Sequence, residues 1–394
     1  MRFAQANRRR ATRLLETHNS FGNRSPFARA GKALSRRILA GDGSAANAGL
    51  VRPMQLENSA RWRADRSLTI ECAPLSRRAN PPSDTMPDTT ISSGSIAFLG
   101  FGEAAQAFLA GWRTNANFKA RICAYDIKTD SPDSEVRTAK RADYAAANVL
   151  GASTAAEALT GAEAVFSVVT ADQAHEAAIA ALPGLAKGAL FFDCDSCAPQ
   201  TKTRTAQDVE AAGGLYVDVA VMAAVHPRLH RTPLLISGPH VEAAAAALAS
   251  LGMLATIHDG PVGAASSVKM IRSVMMKGLE ALVCECVLAG RKAGVIETVL
   301  DSLDDTYPGF DWKKRSAYML ERVMTHGVRR AAEMREVALT VDLLGLKGEM
   351  SRASVGWEQA VGELGLRANG AEAADYRVLA DRILAALDPA AREG

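Results

Sequence analysis

Gly100, Gly102 and Ala105 stand in the order G-x-G-x-x-A immediately after the apolar run Ile96 to Leu99 and before Ala107, Phe108 and Trp112, which repeat at helical spacing. Strand, tight turn and helix in that order make a dinucleotide cradle. Gly100 permits the turn, Gly102 lets a pyrophosphate approach the backbone, and Ala105 allows close helix-to-strand packing. The orphan N–H groups of the helix start then face the phosphates, so Gly100, Phe101, Gly102, Glu103 and Ala104 are the candidate phosphate-binding residues. A second apolar run, Arg121 to Tyr125, ends in Asp126, 24 residues beyond Gly102. An acidic residue there accepts from a ribose 2′-hydroxyl and repels a 2′-phosphate, which favours NAD over NADP; Lys128 works against that preference.

Those residues need a sheet to hold them. Further strands are expected at Ala164 to Val169, Ala189 to Phe192 and Leu215 to Val219, separated by alanine-rich helical segments. The alternation predicts an α/β Rossmann domain with a doubly wound, mostly parallel sheet and ligands bound outside the strands' carboxyl ends, where Thr170 and Asp193 fall. From about residue 260 helix follows helix, beginning with a long run from Val262 through Arg291, so an all-helical C-terminal domain is expected. The domain plan is a basic N-terminal extension over 1–90, a nucleotide-binding domain over 91–258 and a helical substrate and dimerisation domain over 259–394.

Charge sets the N-terminal segment apart. Residues 1–85 hold 15 Arg and one Lys against six acidic residues, whereas the remainder is net acidic, and the total of +3 describes neither part. The segment lacks a sustained apolar period, so it is expected to be disordered, or a leader outside the working chain with Met86 as the start. A nucleic-acid arm is the less favoured reading. No uncharged apolar run reaches the ~20 residues that span a bilayer, and the chain is expected to be cytoplasmic. Cys194 and Cys197 form C-x-x-C and Cys284 and Cys286 form C-x-C, but the first pair lies at a strand-to-helix junction and the second has unusual zinc spacing, so no metal site is expected.

The order of GFGEAA (100–105), FFDCDSCAPQT (191–201), YVDVAVMAAVHP (216–227), GPVGAASSVKMIRS (260–273) and THGVRRAAEMRE (325–336) resembles the β-hydroxyacid dehydrogenases with 6-phosphogluconate dehydrogenase. It is most similar to a branch of oxidoreductases with its own C-terminal domain. The resemblance implies hydride transfer in the cleft between the two domains, a small-molecule substrate and a homodimer. It also implies that Lys269, in register with Gly260 and Gly263, is catalytic. By its residue type, a desolvated lysine at a helix start is suited to general acid/base work. Ser273 stands where the family has Asn, and Lys277 follows on nearly the same face. Asp195 and Ser196 occupy the family's substrate loop, and Met222, Ala223 and Ala224 replace its usual Ser-Gly-Gly. Met276 replaces the acid of the 6-phosphogluconate enzymes, which argues against that literal activity.

Charge for an anionic substrate is expected from His226, Arg228, His230, Arg231 and Lys277, and from His326 and Arg330, which share a helical face with Glu333. The function expected is hydride transfer between a nicotinamide cofactor and a small hydroxy acid or sugar-derived acid, with Lys269 as general acid/base. Coupling to decarboxylation or rearrangement of the keto acid, or a non-catalytic NAD(H)-sensing role, are the alternatives. A chain beginning at Met86 is expected to fold and bind NADH like the full chain; loss of either in a titration would contradict the domain plan.

Overall fold

The computed structural model describes residues 91–388; the expectations for 1–90 lie outside them. The first half alternates strand and helix: β1 (Ser95–Leu99), α1 (Glu103–Trp112), β2 (Arg121–Tyr125), α2 (Ser134–Ala146), β3 (Leu150–Gly151), α3 (Ala155–Leu159), β4 (Ala164–Ser167), α4 (Ala174–Ala181), β5 (Leu190–Asp193) and α5 (Pro199–Ala211). Then come β6 (Leu215–Val221), β7 (Leu234–Ser237), α6 (Val241–Ser250) and β8 (Ala255–Ile257). The strands form one sheet in the order β3-β2-β1-β4-β5-β6-β7-β8. Only the β6–β7 pair is antiparallel. This is the Rossmann architecture, with the strand order reversing between β1 and β4.

Both faces of the sheet are buried, so its central strands are mainly apolar, with Ser167, Asp193 and Asp218 as buried polar exceptions. On one face Phe98 stacks on Trp112 at 5.5 Å and Phe166 on Phe192 at 4.7 Å. On the other, Leu99, Val165, Phe191 and Tyr216 pack beneath α3 and α5. Each such side chain contributes about 1.5–3 kcal/mol on burial. The sequence expectation missed three strands, each for a physical reason. β3 has two exposed residues and β8 three that are not fully buried, while β7 has only three apolar residues before Ser237 and no alternation. β4 ends two residues before the expected Val169, because the Asp195 carboxylate takes the Val169 N–H at 2.6 Å.

The helices that follow are α7 (Ala264–Ala293), α8 (Ile296–Thr306), α9 (Trp312–Leu343), α10 (Glu349–Gly362) and α11 (Tyr376–Leu387). Their core is built from Cys284, Val287, Leu320, Val323, Leu379 and Ile383. Among the described residues no helix is long and apolar enough to cross a membrane. α7 is shifted two residues from the expected run because left-handed glycines bound it, Gly263 at φ 95° and Gly294 at φ 73°.

The start of α7 is tied to the sheet through a buried polar network. Asp218 on β6 accepts from Gly263 N at 3.0 Å, Ser266 N at 3.1 Å, Ser266 Oγ at 2.5 Å and Ser237 Oγ at 3.0 Å. Ser237 Oγ in turn accepts from Ala265 N at 2.9 Å. Asp218 pairs in register with Asp193 on β5, and Lys202 of α5 answers both, with Nζ 2.7 Å from Asp193 Oδ1 and 3.8 Å from Asp218 Oδ1. Tyr216 donates to the second Asp193 oxygen at 2.6 Å. Burial works against the Lys202 ammonium, yet the charge of the carboxylates outweighs it and holds the pKa above the ordinary lysine value.

Removing that cation leaves two buried carboxylates uncompensated. Lys202→Met is expected to cost roughly 3–5 kcal/mol, read as a lower midpoint of urea unfolding. An unchanged midpoint contradicts the role given to Lys202.

Candidate active site

Gly100 adopts φ 80°, and its N–H donates to Tyr125 O at 2.8 Å. A Cβ there would stand 2.9 Å from Val168 O, so only glycine lets β1 turn so close to the end of β4. Gly102 is the N-cap of α1 and carries no side-chain cap. A Cβ on it would meet nothing within 4 Å, so the glycine leaves open space in front of the helix start. Uncapped N–H donors facing open space are what a dinucleotide pyrophosphate requires, and the residues present fit the group. Phe101 turns its ring into the core, 5.3 Å from Tyr144, while its N–H points to Asp126. Glu103 is exposed and Ala104 half-buried at the first turn.

Asp126 closes this pocket at the end of β2. Its two oxygens accept from Phe101 N at 2.9 Å and Lys128 N at 3.0 Å, which fixes the carboxylate beside the glycine turn. Lys140, which sequence reasoning passed over, lies 3.9 Å from Asp126 and donates to Phe101 O at 2.8 Å and Asp143 at 2.7 Å. Thr170 is exposed beyond β4, on the same carboxyl edge. Its hydroxyl side chain bonds Asp172, which holds that carboxyl below its usual range.

The second group lies across the cleft on α7. Lys269, Ser273 and Lys277 recur at four-residue spacing and so share a face. Lys269 Nζ donates to Ser196 Oγ at 2.6 Å, joining α7 to the loop after β5. Burial, helped by the like charges of Lys277 and Lys202, lowers the Lys269 pKa to about 8 against the opposing pull of Glu333. Lys277 pairs with Glu333 of α9 at 2.7 Å and reaches Ser273 Oγ at 3.4 Å. Burial opposes ionisation of Glu333, but Lys277, Arg329 and Lys269 outweigh it and hold its carboxyl at about 2.

Three sequence expectations need correction. Asp195 does not face the Lys269 cleft: it is 3% exposed and accepts from Ser167 Oγ and Val169 N, both at 2.6 Å, bracing the end of β4. Its burial and the neighbouring Asp193 charge raise its pKa well above the carboxylate range. Arg330 turns into the helical core between Glu280 and Glu358, since it lies about 100° around the helix from Arg329. His230 fills the space a Cβ at Gly111 would take, so it packs on α1. His226 is exposed in the loop between β6 and β7, and no hydrogen bond joins it to the Lys269 group. His326 is half-buried on α9, in electrostatic reach of Glu103.

Sequence reasoning also missed the carboxylate of Glu336 on α9. It accepts from Ala198 N at 2.8 Å, pinning the end of the Ser196 loop to the helical region. Cys194 and Cys197 in that loop are buried, and burial pushes both thiols up.

Fold and site together define an oxidoreductase of the dehydrogenase type that uses a nicotinamide cofactor. Residues 96–260 match the NAD binding domain of 6-phosphogluconate dehydrogenase, and residues 291–361 match a domain of unknown function, DUF1932. A conserved hypothetical protein of Sinorhizobium meliloti 1021 is 35% identical, with a TM-score of 0.58 over 77% of this chain and 100% of its own. The chain belongs to the β-hydroxyacid dehydrogenase family with 6-phosphogluconate dehydrogenase, in the branch that carries this C-terminal domain. Mycobacterium tuberculosis 3-hydroxyisobutyrate dehydrogenase, solved with L-serine, shares the fold at 14% identity and a TM-score of 0.54, over 73% of this chain and 98% of its own. A search of curated proteins gave no match.

The Lys269 environment is open to direct titration. Competitive acylation followed by mass spectrometry is expected to give Lys269 a pKa near 8. Glu333→Gln, which removes the anion that stabilises the ammonium, is expected to lower it further. An unshifted or higher value in the variant contradicts this electrostatic account.

Proposed function

We propose that the protein transfers hydride between a nicotinamide cofactor and a small hydroxy acid or sugar-derived acid, with Lys269 as the general acid/base. The observation that carries this reading is the Lys269 amine held 2.6 Å from Ser196 Oγ, where burial lowers its pKa to about 8. In oxidation the neutral amine takes the substrate hydroxyl proton as the C–H bond gives hydride to the cofactor, and in reduction the ammonium returns the proton. When bound, the nicotinamide supplies the hydride acceptor or donor. Gly100 to Ala104, Asp126 and Thr170 would hold the dinucleotide, and Ser196 and Ser273 would orient the substrate hydroxyl. Ser273 sits one turn from Lys269, and its hydroxyl is already within 3.4 Å of the Lys277 ammonium.

NAD is the favoured cofactor in this reading, because Asp126 offers a carboxylate beside the ribose position. Lys140 at 3.9 Å offsets part of that charge. Two copies of the chain are inferred to pair through α7, where Val268, Ile271, Met275 and Leu282 lie on one exposed face.

Lys269→Ala is expected to lower kcat by ~10² to 10⁴ while leaving the NADH dissociation constant within twofold. Because the neutral amine is the active form in oxidation, kcat rises with pH through about 8 in the native protein. The variant should lose that limb. A fall of less than about tenfold, with the limb intact, would place the proton transfer elsewhere.

A further inference from the structure

Arg322, His326, Arg329, Glu333 and Glu336 recur along α9 at intervals of three and four residues, so at about 100° per residue they form one narrow stripe. Its carboxyl half is engaged: Glu336 holds Ala198 N and Glu333 holds Lys277. Its amino half is different. Arg322, His326 and Arg329 bring two permanent cations and an imidazole together, and the only ion pair joining the three to a carboxylate among the described residues is Arg329 with Glu333, at 3.8 Å. Glu333 is already committed at 2.7 Å to Lys277.

Two further observations point outward from this half. Arg322 Nε and Thr325 Oγ1 are buried yet have no hydrogen-bond partner among the described residues. Thr325 lies at the edge of the same arc. Buried donors without acceptors are costly and mark a place where an absent group would be bound. Second, the groups acting on His326 are Arg322 and Arg329 on one side of the balance and Glu321 and Glu103 on the other. Glu103 is the first residue of α1, so His326 of this stretch lies in electrostatic reach of the start of the helix that opens the dinucleotide cradle.

We propose that Arg322, Thr325, His326 and Arg329 form an oxyanion subsite that takes a carboxylate or phosphate group carried by a ligand at the reaction centre. The guanidinium groups supply forked donors suited to such oxyanions, and Thr325 adds a hydroxyl. Along the helix the subsite starts about 6 Å from Glu333 and ends about 16 Å from it. It therefore suits a second anionic group, one that the Lys269 end of the cleft does not hold. Two sources offer that chemistry, the far end of a substrate and the diphosphate of the dinucleotide. The inference rests on the proposed reaction only for the location of the reacting end.

The test uses the full chain and measures binding by calorimetry, with glycerate and its 3-phosphate ester as probes on the NADH-saturated protein and NADH as the probe on the free protein. The native protein is expected to bind the phosphate ester at least tenfold more tightly than glycerate, and the Arg322→Met/Arg329→Met double variant to lose that difference with NADH affinity within threefold. That result assigns the subsite to the substrate. If the double variant instead weakens NADH at least tenfold, the subsite serves the cofactor diphosphate. If neither affinity changes by more than threefold, the proposal is overturned. Arg329→Met alone, at a half-exposed position, gives the same comparison should the double variant fold poorly. Lys269→Ala is expected to keep the preference for the ester, so failure of the proton-transfer reading and failure of the subsite remain separable.

Discussion

The Asp218 carboxylate is the interaction on which the rest of the molecule depends. It sits on β6 and takes up the first turn of α7, so the helix that carries Lys269, Ser273 and Lys277 starts from a fixed point on the sheet. A helix N-terminus favours an anion, but a fully buried carboxylate is tolerated only if its charge is answered. Lys202 answers it while also holding Asp193, the last residue of the neighbouring strand. One buried ammonium thus joins β5, β6, α5 and α7. The loop carrying Ser196 leaves from Asp193, so both partners of the Lys269–Ser196 bond are referred to the same anchor.

The two lysines show how one residue type takes opposite properties from its surroundings. Both lose water on folding. Lys202 recovers the loss from two carboxylates and stays charged, whereas Lys269 meets a serine hydroxyl and the repulsion of Lys277 and Lys202. Glu333 restrains the fall, so the amine comes to rest near neutrality rather than far below it. A lysine in that range can exchange a proton in either direction, which a reversible hydride transfer requires. On the other wall, Glu336 and Glu333 of α9 clamp the Ser196 loop and Lys277 in turn, so the cleft is braced from both sides.

Much of the nucleotide half was legible in the sequence because its requirements are local. A glycine at φ 80°, an uncapped glycine at a helix start and an acid at a strand end are each dictated within a few residues. The start of the helix that carries Lys269 was legible through Gly260 and Gly263. The antiparallel direction of β7 was not, since so short a run as Leu234–Ser237 fits either direction. Nor could the sequence tell Asp195 from Ser196: one residue apart, one faces the interior and the other the cleft. Arg329 and Arg330 pose the same problem on a helix: spacing groups Arg330 with His326 and Glu333, whereas the packing of α9 on α7 and α10 turns Arg330 to Glu280 and Glu358 and leaves Arg329 exposed. The equal register of Asp193 and Asp218 could have signalled the need for a buried cation, but only once the two strands were known to be neighbours.

The central claim is geometric: a dinucleotide bound at the glycine turn brings its reactive ring to the Lys269–Ser196 pair. A crystal structure of the full chain with NADH measures this most directly. The account predicts the pyrophosphate on the N–H groups of Gly102 to Ala104, and the nicotinamide C4 facing a space that Lys269 Nζ also borders, with room for a reacting carbon about 3–3.5 Å from the ring. A nicotinamide directed away from α7, or a Lys269 side chain turned out of the cleft with the cofactor in place, would contradict it.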